Sequence, residues 1–287
     1  MPTDTNAPTT QPRPSMADID VFGLTHQGYV RPTNADHFLI GSFHRSLRIH
    51  HTSIAADLGP HETESRGFLL LVADGVGNLH KADEGSAHAL QVVTQHLLHA
   101  SEICSTMAMH KQDEAIAELK VAVAKAHDAL QEHAEREGTG TRATTLTMYA
   151  AFWPLGFVVQ VGDSRLYRLH GNRFERLTSD QTMAQMMLEA GAMSREEAED
   201  SPLKHVLWSA LGAPEAIPEV AVINLDAQDR VMLCSDGLTK HVSDDEIRDY
   251  LSRDLSSEEM CRALVDLALE RGGTDNVTVV SGRVRGR

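Results

Sequence analysis

The sequence predicts an α+β fold in which most strands pair antiparallel. An apolar run, Phe68 to Ala73, has no polar interruption and stops at Asp74-Gly75. Val231 to Cys234 repeats the design ahead of Ser235-Asp236-Gly237. Such runs suit strands buried on both faces, and the glycine lets the backbone turn sharply where they end. Strand-like and helix-like segments then follow one another in blocks, unlike the strict strand–helix–strand winding of a parallel sheet.

Taken in order, Met1 to Ser15 is rich in Pro and Thr and reads as a disordered tail, so residues 1–17 are assigned to it and 18–287 to the folded domain. Ile19 to Leu24 alternates like a half-buried strand. The turn-rich passage from Arg31 to Asp36 leads to a second strand at Phe38 to Ile40. Gly41 to Arg66 is polar and carries His44, His50, His51 and His61. Their spacing matches no zinc pattern, so this stretch reads as a solvated loop. Leu90, Val93, Leu97 and Ala100 recur at helical spacing, as do Ile116, Leu119, Val123, Ala126 and Leu130. These are two amphipathic helices covering a sheet.

Thr144 to Ala151 and Phe157 to Val161 are strands joined by a turn at Trp153 to Gly156, and Leu166 to Leu169 runs back as a hairpin partner. Ser179 to Leu211 is a helix-prone, partly acidic insert. Its methionines Met183, Met186 and Met187 suit core gaps, or alternatively an adaptable substrate-facing flap. Strands at Glu219 to Leu225 and Arg230 to Cys234, a helix from Ser257 to Glu270 and a last strand, Asn276 to Ser281, complete the chain. No internal repeat or linker divides it.

Composition narrows the function. The chain has 287 residues with 41% hydrophobic and 23% charged content, typical of a globular protein able to bury a large core. A formal charge of −15 argues against a general binder of nucleic acid or of membrane surfaces, since phosphate-rich partners are repelled. Cys104, Cys234 and Cys261 are an odd set without CxxC spacing, which points to a reducing compartment. No stretch approaches the ~20 apolar residues that span a bilayer, and the N-terminus has no apolar signal core. The expected location is cytoplasmic.

Four strand boundaries carry an aspartate: Asp74, Asp163, Asp236 and Asp275. Any one Asp-Gly after a strand is more simply a turn, because both residues favour turns for backbone reasons. Jointly they suggest a negative cluster that only a cation makes tolerable. Oxygen ligands select hard ions such as magnesium or manganese. Two such ions ~4 Å apart turn water into hydroxide near neutral pH and polarise a phosphoryl oxygen. The chain has no GxxxxGK[ST] phosphate loop and no cysteine in a phosphate-cradling turn. Arg31 is the obvious guanidinium for a substrate phosphate.

The ordered motifs Arg31-x-x-Asn34-x-Asp36-x-Phe38, Val72 to Gly77, Gly140 to Thr147, Val161 to Arg165, Leu177 to Asp180, Leu207 to Gly212, Ser235 to Leu238 and Gly273 to Thr278 resemble the PPM family, the metal-dependent Ser/Thr protein phosphatases of type 2C, in bacterial form. The resemblance covers nearly everything from Asp18 to Val284. It implies a four-layer α-β-β-α sandwich, two antiparallel sheets flanked by helices, with a binuclear Mn or Mg centre at one edge and a flap at about 179–211. By that likeness Asp74 bridges both ions, the Gly75 carbonyl joins the second, and Asp236 and Asp275 complete the first. Asp36 hydrogen-bonds metal waters, Asp163 with Asp236 holds a weaker third ion, and Arg31 binds phosphate.

Ala35, Asn78, Ala82 and Val76 depart from the family pattern; Val76 stands where eukaryotic relatives present a histidine. The implied activity is hydrolysis of phosphoserine and phosphothreonine on proteins by metal-activated hydroxide. The implied partners are phosphoproteins and a bacterial Ser/Thr kinase. A pseudophosphatase that binds phosphoproteins or kinases without turnover is the alternative that Ala35 and Asn78 leave open. A metal-dependent nuclease fits the carboxylates but not the acidic balance.

Overall fold

The computed structural model describes residues 14, 16–43, 47–53, 67–77, 79–110, 112–138 and 142–285. Strands β1 (Ile19–His26), β2 (Asp36–Phe43), β3 (Leu47–Thr52) and β4 (Gly67–Val76) precede helices α1 (Leu79–His110) and α2 (Gln112–Glu137). Strands β5 (Ala143–Thr144), β6 (Leu146–Phe152), β7 (Leu155–Val161), β8 (Arg165–His170) and β9 (Arg173–Arg176) follow. Helices α3 (Met183–Glu189) and α4 (Arg195–Asp200) form the insert, ahead of β10 (Glu219–Asn224) and β11 (Asp229–Cys234). Helices α5 (Asp236–Thr239), α6 (Asp244–Ser252) and α7 (Ser257–Glu270) then lead into β12 (Val277–Val284). One sheet has the order β1-β12-β11-β8-β9 and the other β10-β7-β6-β4-β2-β3, with β5 on the end of β4.

Side-chain alternation assembles the layers. In β4, Leu69, Leu71 and Ala73 face α1 and α2, where they meet Leu90, Val93, Leu97, Leu119 and Leu130. Leu70 and Val72, one residue out of phase, face the other sheet and meet Leu166, Val231, Leu233 and Val280. The outer face of that second sheet, with Met232, Cys234, Val277 and Val279, packs on Ile247 and Leu251 of α6 and on Leu264 and Val265 of α7. Three apolar interlayers thus separate helix, sheet, sheet and helix. The uninterrupted apolar runs are explained by this, since strands between two packed layers have no solvent face. The four-layer α-β-β-α architecture implied by the sequence is what the chain adopts.

Three expectations are corrected. The stretch after Gly41 is not all loop: β2 continues to Phe43 and β3 pairs with it as an edge strand, taking in His50 and His51. His44 and His61, and the tail up to residue 13, lie outside the described residues. Strand β8 is not a hairpin partner of β7; it pairs with β11 and β9 in the opposite sheet. The cause is Gly162, whose φ of 103° carries the chain across between the sheets in a conformation that β-branched or bulky residues resist. Finally, the insert's methionines do not fill a core: Met186 is 41% exposed, while Ala184 is the buried residue of α3.

Helix α6 escapes an apolar-periodicity reading because it is short. Its start is nonetheless marked by the capping box Ser243–Glu246, repeated at Ser194–Glu197 and Ser256–Glu259 for α4 and α7. The roots of the insert are tied to the site-bearing strands. Gly162 and Gln181 exchange hydrogen bonds, Thr182 bridges to Leu207, and Thr144 bridges to Leu211. Arg165 holds Asp180 through Nε at 2.9 Å and Nη2 at 2.6 Å, and reaches Asp244 of α6 at 3.1 Å.

Leu233, fully buried between the sheets, tests the layer model. Leu233→Ala is expected to cost about 2–5 kcal/mol in urea denaturation. The half-exposed Ile217 is the control, and Ile217→Ala is expected to change stability by no more than ~0.5 kcal/mol.

Candidate metal centre

Strand β4 delivers Asp74 near its C-terminal end, directly across the ladder from Asp36, the first residue of β2. The Asp74 main chain is clamped from the far side. Its N–H donates to Thr145 Oγ1 at 3.0 Å, and its carbonyl accepts from the Thr144 hydroxyl and the Thr145 N–H, each at 2.8 Å. Asp163 follows the crossover at Gly162. From the other sheet, Asp236 opens α5 behind β11 and Asp275 immediately precedes the β12 approach. Gly237 lets these two loops touch: a Cβ there would lie 1.8 Å from the Asn276 carbonyl oxygen. Any side chain at that position would drive Asp236 and Asp275 apart.

Arg31, Asp74, Gly75, Asp163, Asp236 and Asp275 consequently line one cavity of about 180 Å³. Asp36 lies beneath this cavity rather than in its wall. It is buried, and its Oδ2 accepts from Ser235 Oγ at 2.6 Å and Thr278 Oγ1 at 2.8 Å. Its Oδ1 has no hydrogen-bond partner among the described residues. Arg31 does not stand free; its fork holds Asp275 at 2.6 and 2.8 Å. A larger polar cleft, about 880 Å³, shares Asp163, His205, Asp236 and Lys240 with the cavity and runs between the insert and α6.

Several contributors were not singled out from the sequence. Asn276 accepts from the Ala35 N–H at 2.8 Å and donates to the Gln27 and Thr33 carbonyls, fastening the Arg31 loop to the Asp275 loop. His205 enters the cavity from the insert. Lys240 Nζ sits 2.6 Å from Asp236 Oδ2 and 2.6 Å from Asp275 Oδ2. Its spacing of four from Asp236 was the available signal, because residues i and i+4 share a helix face. The contacts of Asn276 and His205 span elements far apart in the chain and leave no such local trace.

The electrostatics record crowding of like charge. Burial, followed by the charges of Asp36, Asp236, Asp163 and Asp275, pushes the Asp74 carboxyl well above the ordinary range. Asp163 is raised likewise, by burial and then by Asp236 and Asp180, with Lys240 and Arg165 opposing. Burial pushes Asp36 up to about 6 despite its two hydroxyl donors. Asp275 behaves oppositely. Burial alone would raise it, but the hydrogen bonds from Arg31 and Lys240 hold it below the usual carboxylate range.

Do these groups suit divalent ions? Four carboxylates line the cavity with two cations, and the buried Asp36 beneath it has an oxygen without a partner among the described residues, so the oxygen-rich donor chemistry fits hard dications. As the side chains stand, no group of three or more His, Cys, Asp or Glu among the described residues is disposed to hold an ion. The Lys240 ammonium instead lies between Asp236 Oδ2 and Asp275 Oδ2.

The raised Asp36 sets the sign of a pH effect. Its folded value, about 6, exceeds the reference 3.8, so the folded state keeps a proton that the unfolded chain has released. Its contribution to stability therefore falls as pH rises from about 4 to 6 and is flat above. In chelator, Asp36→Asn should gain stability over the parent progressively through that window, by up to ~3 kcal/mol. Thermal melts of both proteins between pH 4 and pH 8 measure it, and a gain independent of pH would contradict the assignment.

The family model described as protein phosphatase 2C matches residues 49–271. The chain is 35% identical to protein phosphatase PhpP of Streptococcus pneumoniae over 162 residues, 56% of this chain and 64% of that protein, so it spans just under two thirds of PhpP. It is 30% identical to the serine/threonine phosphatase stp of Listeria welshimeri over 229 residues, covering 77% of this chain and 86% of that one. A crystal structure of the catalytic domain of the serine/threonine protein phosphatase PstP in complex with two manganese ions superposes with a TM-score of 0.70 at 29% identity. That superposition covers 93% of this chain and 99% of that one. With its acids gathered at the rim of a four-layer sandwich and a family match across most of its length, the chain belongs to the protein phosphatase 2C family.

Proposed function

We propose that the chain is a metal-dependent phosphatase acting on phosphoserine and phosphothreonine in proteins. The observation that carries this reading is the convergence of Asp74, Asp163, Asp236 and Asp275 with Arg31 on one cavity in a protein phosphatase 2C chain. Asp74, Asp236 and Asp275, with the Gly75 carbonyl, would hold two Mn or Mg ions. Asp163 with Asp236 would hold a weaker third. Such ions, when bound, lower the pKa of water and draw charge from phosphoryl oxygens.

The chain's own residues supply position. The Thr144 and Thr145 bonds and the β2–β4 ladder fix the Asp74 main chain, and so the root from which its carboxylate reaches the cavity. Arg31, 44% exposed at the mouth, offers a planar fork that a phosphate dianion can take in competition with Asp275. Asp36 fixes Ser235 and Thr278 under the floor, so the Asp236 turn and the start of β12 move as one unit. The cleft beside the insert is wide and polar enough for peptide flanking the phosphorylated residue. The substrates are the products of a Ser/Thr kinase. The pseudophosphatase alternative draws no support from this cavity, because Asp74, Asp163, Asp236 and Asp275 are all retained in its lining.

Release of phosphate from a phosphothreonine peptide should require Mn or Mg and be abolished by chelator. Asp74→Asn and Asp236→Asn are each expected to lower kcat about 10²-fold or more. Arg31→Ala is expected to lower kcat/KM roughly 10–100-fold, the value of one lost charge-assisted contact. Near-normal turnover in either aspartate variant, or metal-independent turnover of the parent, would overturn the reading.

A further inference from the structure

Among the described residues, Lys240 is the one cation that lines the cavity from the same helical turn as a predicted ion ligand. Its ammonium lies 2.6 Å from both Asp236 and Asp275 and close enough to Asp163 to oppose the rise of that carboxyl. The reach is built into the backbone: Lys240 caps α5 four residues after Asp236, so the two side chains share a face whatever occupies the cavity. Arg31 also touches Asp275, but from an exposed loop and on the side where phosphate would sit. An ammonium is a compact point charge on a flexible stem, able to withdraw when a stronger cation arrives. The adjoining polar cleft offers it a destination, because that cleft is lined by Lys240 together with Asp244 and Asp245.

We propose that Lys240 is a tethered counter-cation that competes with divalent ions for Asp236 and Asp275, holding the acids together in the metal-free protein and setting how tightly metal binds. This rests on the metal-dependent reading above and adds to it a residue that tunes affinity without holding the ion. Removing the charge then has two effects of opposite sign. The metal-free protein loses stability because the acids repel unopposed, while metal binds more tightly because nothing must be displaced. A residue that merely supports the fold would weaken both.

The test compares the full chain with Lys240→Met, Lys240→Gln and Lys240→Arg after stripping with chelator. Mn binding is followed by electron paramagnetic resonance of the free ion, and metal-free melting by calorimetry. Lys240→Met and Lys240→Gln are expected to bind Mn about tenfold more tightly and to melt lower without metal, with Lys240→Arg close to the parent. In the unmodified protein, Mn should increase reductive methylation of Lys240, read by mass spectrometry, which keeps the test available should the neutral variants not fold. Unchanged or weaker Mn binding in the neutral variants, or methylation indifferent to Mn, overturns the proposal while leaving the metal reading intact. A parent chain that binds no Mn overturns both.

Discussion

Five carboxylates brought to one end of a sandwich repel one another, and the whole arrangement depends on the scaffold's ability to hold them there. Arg31 and Lys240 oppose the repulsion locally. The rest of the opposition comes from three apolar interlayers that leave the strands no freedom to splay. Asp74 and Asp36 face each other across one ladder, and Asp236 and Asp275 are pressed together by backbone contact at Gly237. Polar side chains finish the work: Thr144 and Thr145 clamp one acid, Ser235 and Thr278 share the carboxylate beneath, and Asn276 ties two loops. Charge that would be ruinous in a flexible loop is thereby stored in a rigid one, available to cations and to the phosphate they attract.

That storage explains the division between the rigid and the adaptable parts of the molecule. The carboxylates sit on strand ends and tight turns, whereas the insert carries short helices with half-exposed side chains over a wide cleft. The insert is fixed at its roots through Arg165, Gln181 and the bridges to Leu207 and Leu211. The acids are thus carried on the packed framework, and the wide polar cleft lies beside short helices with half-exposed side chains. No helix among the described residues is long and apolar enough to cross a bilayer.

Much of this was legible in the chain before any coordinates. The doubly apolar runs at Phe68 and Val231 identified strands with two covered faces, because periodicity and burial are local properties of a strand. The strand-boundary pattern located Asp74, Asp163, Asp236 and Asp275, the need for a phosphate-binding guanidinium picked out Arg31, and the family resemblance added Asp36 and Gly75; the fold brings all of them to the same end. The errors have physical causes as well. A strand that changes sheets at Gly162 looks in sequence like one that turns back, since the same glycine serves either geometry. Strand β3 is an edge strand whose sequence, Leu47 to Thr52, carries His50 and His51 in a polar stretch and so resembles a loop.

By itself, then, the sequence determined the α+β class, most of the order of elements and the acids at the strand ends, because each is written in spacing and residue type within a few positions, while the layered arrangement came from the family resemblance. Only the tertiary structure decided which sheet β8 joins, that Asp36 lies under the cavity with an unpartnered oxygen, that Arg31 is paired to Asp275, and that Lys240 stands between two acids. Those outcomes hang on contacts between residues up to more than two hundred positions apart. Electrostatic pairing at such separations is set by where the packed layers place the side chains, and no local pattern encodes that placement.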